Sequence, residues 1–479
     1  MSLKQKALSS IFWTFAQQFG NQLIGFVVSL VLARILLPSD FGTIAIFSVL
    51  MGIGNVLIDS GLTNSLIRTQ NIDDADLSTV FYFNFTVSIL IYSIIAFTAP
   101  WVSVFFKMPE LTKIIRIYTI ILPISAFSAI QRTLLTKKMD FKTQLKVQIP
   151  SLVIGGASGI IFALTGFGVW SLVYMAIIQS ALSSLQFWMY SRWRPKRVFD
   201  KVKFRFHFNF GYKLALSGLL DIAFQNIYTI VIGKIFSATQ LGFYNKANSM
   251  QQLPVTSIIK PLNRVTYPLF SQIQNDSLRL KNVYSQLMKM VMFVITPVLM
   301  LLGVLGEPLF RFLFTEKWLP AVPYFQILCI VGILLPIHSY NLNVLNVKGR
   351  SDLFLKLEII KKILIVIAIA ITFQFGIIVM LWGRVIISFI GLIINCHYSG
   401  KYLNYSLWKQ LADLLPSILL SATVGATIIL LDKNVWMAFS DFIRLIAGGT
   451  SGILLYLGFA YVFKFKELTD AKEILLRKK

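Results

Sequence analysis

Three basic side chains in one largely apolar stretch are the residues of this chain best suited to binding chemistry. Lys246, Lys260 and Arg264 are separated by 14 and 4 residues. At about 100° per residue, a helix carries all three within about 40° of one another. Arginine offers a bidentate fork to a phosphate and lysine a point charge, so the spacing predicts a site for a phosphate or diphosphate. The alternative is that Lys260 and Arg264 extend to the inner lipid headgroups.

A second polar group lies in two other apolar stretches. Asp221 is followed by Gln225 one helical turn on and Tyr228 two turns on, and Gln17 and Asn21 occupy the matching place early in the chain. Ionisable groups at membrane depth are costly and tend to face protein or water. We therefore expect the two stripes to face each other across a cavity, with Asp221 as a carboxylate for H+ or Na+ coupling. Interhelical hydrogen bonding is the alternative role.

Other residue patterns bear on gating and on catalysis. Asp59 and Arg68 lie at the end of one apolar stretch, where they form either a gate ion pair or a local helix cap. Both cysteines lie inside apolar stretches and the three histidines have no ligand spacing, so no metal site is expected. No Walker loop or G-x-G-x-x-G phosphate cradle occurs. The sequence therefore predicts no catalytic residue and no cofactor.

Composition identifies the environment of these side chains. The 479-residue chain is 56% hydrophobic and 14% charged, which is too little polar surface for a water-soluble protein. Apolar stretches of about 20 residues, enough to cross about 30 Å of hydrocarbon, recur along the chain. They predict an all-α polytopic membrane protein with about 14 transmembrane helices. The predicted spans lie near 10–33, 41–60, 79–99, 114–131, 147–166, 169–190, 211–236, 241–268, 286–305, 321–346, 358–375, 377–398, 413–431 and 441–463.

The charges indicate which side of the membrane each loop occupies. The net charge is +25, and the cations concentrate in alternate loops, most densely in the segment 191–206. By the positive-inside rule both termini and these loops are cytoplasmic. The basic clusters set topology and contact anionic lipid, in preference to nucleic acid.

A repeat organises the spans. Residues 29–42, SLVLARILLPSDFG, recur 200 positions later as TIVIGKIFSATQLG, with three identities and mostly conservative replacements. Six spans per copy give two parallel repeats, whose interface would form a cavity opened alternately to each side. We therefore predict an N-terminal six-helix repeat at 1–190, a basic cytoplasmic linker at 191–206, a C-terminal six-helix repeat at 207–400, and two extra helices with a basic tail at 401–479.

Two segments carry a family resemblance. LARILLPSDFGTIAIFSVLMGIGNVLIDSGL in the first half and LGFYNKANSMQQLP in the second resemble the Wzx-type polysaccharide-transporter branch of the MATE-like MOP exporter superfamily. The resemblance implies a fourteen-helix inner-membrane flippase that moves undecaprenyl-diphosphate-linked oligosaccharide to the outer leaflet by alternating access, for O-antigen, capsule or exopolysaccharide assembly. It also implies cavity cations, driving by an ion or proton gradient, and a glycosyltransferase or polymerase as partner. Lipid II flippases of the superfamily carry arginines in the first two spans, where this chain has Gln17 and Asn21.

Two alternatives belong to other functional classes. A drug or metabolite antiporter of the same fold needs a buried carboxylate, for which only Asp221 qualifies, and the excess of cavity cations favours an anionic lipid substrate over it. A polymerase or ligase of the glycan pathway needs acid or base residues on a long outward-facing loop, and the predicted outer loops are short. The flippase is therefore the favoured interpretation.

Overall fold

The chain folds into helices that form two compact units. The computed structural model describes residues 3–470, with the side chains of residues 3–12, 260, 261 and 264 outside that description. The units are Met1–Gly242 and Phe243–Lys479. The first unit thus extends past the predicted linker and includes the helices α10 and α11 that follow it. The compact units therefore do not coincide with the predicted sequence repeats, and the boundaries of the repeats stay a prediction.

The first unit is built around α8, which packs against α1 and α9. Helix α2 packs against α4 and α10, and α10 also contacts α3. The helices of this unit are α1 Leu3–Ile35, α2 Pro38–Asp59, α3 Leu62–Arg68, α4 Asp74–Phe106, α5 Leu111–Tyr118, α6 Ile121–Phe127, α7 Ala129–Lys137, α8 Phe141–Leu164, α9 Val169–Tyr190, α10 Lys201–Gln225 and α11 Ile227–Ile235.

The second unit is built around α13 and α15, which pack against each other and against α18 and α17 respectively. Helix α19 covers α13, α14 and α18. The boundary between the units falls inside α12. The helices are α12 Ala238–Gln272, α13 Ser277–Val304, α14 Gly306–Phe314, α15 Val322–Val347, α16 Ser351–Thr372, α17 Ile377–Leu403, α18 Leu407–Leu431 and α19 Asp441–Val462.

Fewer helices qualify as membrane spans by length and composition than the sequence predicted. Among the described residues, ten helices are long and apolar enough to cross a membrane, and two bent pairs, α5 to α7 and α10 with α11, raise the number to twelve. The remaining two predicted spans correspond to α12 and α16, which are 35 and 22 residues long; α12 is more polar than the counted spans, and α16 carries five charged side chains. The multi-pass, all-helical class is confirmed, whereas the count of fourteen is not.

Close packing and ion pairs hold α10 against the rest of the first unit. A methyl group added at Gly211 would lie 2.1 Å from the carbonyl oxygen of Ser60, so only glycine fits there. The linker side chain Lys196 pairs with Asp74 at 2.7 Å, and Lys203 pairs with Asp73 at 2.5 Å. Part of the basic linker is therefore paired with the acidic residues at the start of α4. We call these two ion pairs the linker latch.

Candidate functional site

A polar cavity of about 260 Å³ lies inside the first unit. The side-chain oxygen Oε1 of Gln148, on α8, accepts hydrogen bonds from Gln17 Nε2 at 2.8 Å and from Asn21 Nδ2 at 2.6 Å. The two predicted polar residues of α1 therefore bond to a helix of their own unit. These bonds fit the alternative role of this stripe, interhelical hydrogen bonding, and its facing towards Asp221 and Gln225 across a cavity stays a prediction.

Arg132 brings a positive charge to the same cavity. It lies in α7, and its guanidinium carbon is 5.5 Å from the ring centroid of Phe187, a fully buried residue of α9 that also lines the cavity. Arg132 also precedes a basic loop, as a topogenic anchor does. Its role in the cavity was missed because α7 begins after a 45° bend, which no periodicity of the sequence indicates. Gln148 was missed for a similar reason, since only the tertiary fold brings it to Asn21.

The predicted stripe on α10 is shorter than the sequence suggested. Asp221 and Gln225 lie on an exposed face of α10, one turn apart. The helix then bends by 48° before Ile227. Beyond the bend, Tyr228 is buried, with 4% of its surface exposed. The break removes Tyr228 from the stripe because the helical register does not continue through it.

Lys246 is covered by aromatic rings within the second unit. Its ammonium nitrogen lies 4.2 Å from the ring centroid of Phe314 and 5.5 Å from that of Trp318, and 7% of the residue is exposed. Ammonium groups are attracted to the faces of aromatic rings at these distances. In this conformation the predicted substrate cation is therefore enclosed. The side chains of Lys260 and Arg264 lie outside the described residues, so the predicted stripe of three stays a prediction.

Between those two cations, Asn263 is hydrogen-bonded to a neighbouring helix. Its amide nitrogen donates to Ser339 Oγ at 2.8 Å, and its oxygen accepts from Asn343 Nδ2 at 3.1 Å. Both partners belong to α15, which is mostly buried. The amide of Asn263 thus fixes the rotation of this part of α12 against α15.

Asp59 and Arg68 do not form an ion pair in this structure. The carboxylate of Asp59 accepts from the backbone N–H of Thr63 at 3.2 Å, across the Gly61 turn. The guanidinium carbon of Arg68 lies 4.7 Å from the ring centroid of Phe210. The predicted pair is corrected in favour of its alternative, a local cap, because the short helix α3 carries the arginine towards α10 instead.

Comparison with known proteins identifies relatives along most of the chain. A family described as polysaccharide biosynthesis protein matches residues 31–323, more than half of the chain. The lipopolysaccharide biosynthesis protein WzxC of Escherichia coli (strain K12) is 26% identical over 440 residues and covers 89% of both chains. The succinoglycan biosynthesis transport protein ExoT of Rhizobium meliloti (strain 1021) is 24% identical, over 68% of this chain and 67% of its own length.

A solved structure has the same fold. The lipid II flippase MurJ, in an inward closed conformation, superposes on 95% of this chain and 98% of its own with a TM-score of 0.73. At 18% identity this similarity concerns the fold alone. It confirms the fold class that the sequence predicted.

Proposed function

Because the chain belongs to the polysaccharide biosynthesis protein family, we propose that it is a flippase for a lipid-linked oligosaccharide in the bacterial inner membrane. The observation that carries this proposal is a relation along whole chains: similarity to WzxC extends over 89% of both sequences. The fold it shares with a lipid flippase supports a transport step rather than a catalytic one. Both termini are assigned to the cytoplasm by the basic loops.

The substrate assignment rests on charge. The chain has 45 Lys and Arg against 20 Asp and Glu, and the α12 cations Lys246, Lys260 and Arg264 suit the diphosphate that would link a polyprenyl lipid to its glycan. Burial of Lys246 under two rings supports alternating access, because an enclosed cation becomes available only when the helices around it rearrange. Anionic lipids are the further partners, through the basic linker and tail.

Coupling to an H+ or Na+ gradient is assigned to α10. Asp221 lies on an exposed face of that helix within an apolar segment, where an ionisable group is costly without a function. Asp221→Asn should abolish any dependence of transport on pH or on Na+ while leaving expression unchanged. Unaltered ion dependence in this variant would exclude Asp221 as the coupling group.

The proposed function is tested in cells by removing the gene. Loss of a surface glycan, together with accumulation of the lipid-linked oligosaccharide on the cytoplasmic leaflet, is the expected result. Unchanged surface glycan with altered drug sensitivity would instead support the antiporter alternative. Re-expression of the chain in the deletion strain controls for effects on neighbouring genes.

A further inference from the structure

A single residue joins the two helices whose rings enclose Lys246. One ring belongs to Phe314, the last residue of α14, and the other to Trp318, in a 3₁₀ helix that spans Glu316–Ala321. The two ring centroids lie 6.2 Å apart, and 4.2 Å and 5.5 Å from the ammonium nitrogen of Lys246. We call residues 306–321, which comprise both helices, the aromatic lid.

The joining residue, Thr315, adopts a backbone conformation that threonine normally avoids. Its φ is 76° and its ψ is 173°. This region of backbone space is essentially restricted to glycine, and a β-branched residue with positive φ is strained. The five other described non-glycine residues with positive φ have φ between 43° and 58°, close to the left-handed helical range that side chains tolerate better. Thr315 is the β-branched member of this set, and its extended ψ lies outside that range.

Hydrogen bonds on both sides hold Thr315 in this conformation. Its backbone N–H donates to the carbonyl oxygen of Arg311 at 3.0 Å, which ends α14, and its own carbonyl oxygen accepts from the N–H of Trp318 at 3.2 Å. Thr315 is exposed, so packing of its side chain does not select threonine. The 3₁₀ helix that follows is six residues long, whereas runs of more than three or four residues are uncommon. The closed lid therefore contains a strained connection between its two rings.

We infer that Thr315 is a positioning residue that eases the opening of the aromatic lid over Lys246. The strain exists only while the turn is closed, because a threonine that leaves this conformation returns to the ordinary extended or helical regions. It therefore raises the free energy of the closed lid relative to the open one and offsets part of the burial of Phe314 and Trp318. Contact of the uncovered ammonium with a substrate diphosphate rests on the proposed function, whereas the opening itself does not.

Glycine at position 315 should keep the lid closed. Thr315→Gly removes the Cβ atom that causes the strain and leaves both backbone hydrogen bonds in place. Relief of such strain corresponds to a change of roughly ten-fold in the ratio of open to closed lids. The greater freedom of glycine in the open lid acts in the opposite direction, but it is the smaller effect. Thr315→Val keeps the β-branch and the strain while it removes the hydroxyl group.

Chemical labelling of Lys246 in the purified full-length protein measures the opening. A water-soluble amine-reactive ester would be added to the protein in nanodiscs at one pH, and peptide mass spectrometry would follow the modification of each lysine with time. The labelling rate of Lys246 would be divided by that of Lys433, an exposed lysine of the same unit. We expect Thr315→Gly to lower this ratio about ten-fold and Thr315→Val to leave it unchanged.

A matched control separates the lid from a general effect of glycine. Asn404→Gly replaces another residue with positive φ, the exposed residue that ends α17, and should label like the wild type. Equal ratios in the wild type and Thr315→Gly would overturn the inference, and so would a lowered ratio in Thr315→Val. Thr315→Gly should melt no lower than the wild type, which shows that it is folded. Because no substrate is present, the labelling result stands whether or not the protein flips a lipid.

Discussion

Gly42 and Gly242 lie against each other with no room for a side chain on either. A methyl group added at Gly42 would lie 1.8 Å from the carbonyl oxygen of Ala238, and one added at Gly242 would lie 1.9 Å from that of Pro38. The contact is reciprocal, because each glycine meets the carbonyl four residues before the other. The two glycines end the two copies of the repeated segment, so the contact gives a structural reason for glycine in both copies.

Gly42→Ala and Gly242→Ala should each reduce transport and thermal stability. Backbone atoms cannot give way as a flexible side chain can, so the added methyl forces α2 and the start of α12 apart, at a cost of about 1 to 3 kcal/mol. Melting temperature and transport rate would measure both effects. Gly25→Ala is the matched control because nothing lies within 4 Å of a methyl group there. Wild-type behaviour of both contact variants would show that the glycines do not hold these helices together.

The amide cluster of the first unit provides a second prediction. Gln148→Leu removes the acceptor of two hydrogen bonds and should lower the free energy of unfolding by roughly 1 kcal/mol, since interhelical bonds in membranes average about 0.6 kcal/mol each. In the wild type, Gln17→Leu should lower the free energy of unfolding by less than Gln148→Leu does. In the Gln148→Leu background, it should lower it by almost nothing. Additive effects of the two substitutions would exclude the bond between these residues.

The sequence predicted the architecture well because it is governed by the bilayer. Apolar stretches long enough to cross a membrane located every long helix, including α12, which is more polar than the other spans, and α16, which carries more charges. Bends were not predicted. The break between Gln225 and Ile227 contains neither proline nor glycine, the residues that usually signal a bend in a sequence. It falls at Asn226, whose side-chain amide donates to the carbonyl oxygen of Ile222 at 2.9 Å.

The site was predicted only where one helix carries its residues. Gln17 and Asn21 were identified as polar groups at membrane depth, and both line or border the cavity. Their partner Gln148, and Arg132 beside them, come from helices more than 100 residues away. The spacing of residues along one helix carries no information about such neighbours. The expectation that this stripe faces Asp221 and Gln225 across a cavity stays a prediction.

The linker latch should respond to salt but not to pH near neutrality. Lys203 and the backbone N–H of Asp76 hold the pKa of Asp73 well below its ordinary 3.8, and Asp74 raises the pKa of Lys196 above 10.5. The free energy by which Asp73 stabilises the folded state is fully present above pH 3.8 and is lost as the pH falls through the lowered pKa of this carboxylate. The free energy by which Lys196 stabilises the folded state is fully present below pH 10.5 and is lost as the pH rises through the raised pKa of this ammonium group. Both are constant between about pH 5 and 9.

Limited proteolysis after Arg197 measures this response. Tryptic cleavage of the linker should accelerate as NaCl rises from about 0.01 M to about 1 M, because the Debye length falls from about 30 Å to about 3 Å. After correction for the pH dependence of trypsin itself, the cleavage rate of the linker should be the same throughout the range from pH 6 to pH 8. The Asp73→Asn, Asp74→Asn double variant should cleave fast at both salt concentrations. Salt-independent cleavage of the wild type would contradict a latch.

The cations of α12 are tested together. Lys260→Ala combined with Arg264→Ala should abolish glycan export at normal expression, because the diphosphate loses two of its proposed charge partners. Arg279→Ala, at an exposed cation near the start of α13, should export normally. Normal export by the double variant would exclude the stripe as a substrate site while leaving the fold and family unaffected.

The most direct test of the central proposal is flipping by the purified protein. Proteoliposomes would be loaded with labelled undecaprenyl-diphosphate oligosaccharide, and the labelled glycan on the outer leaflet would be followed by its accessibility to an impermeant glycosidase. We expect the outer-leaflet fraction to change with time only in liposomes that contain the protein, and to do so more slowly with Lys260→Ala plus Arg264→Ala. A fraction equal to that of empty liposomes, with folded protein and either ion gradient imposed, would contradict the assignment as a flippase.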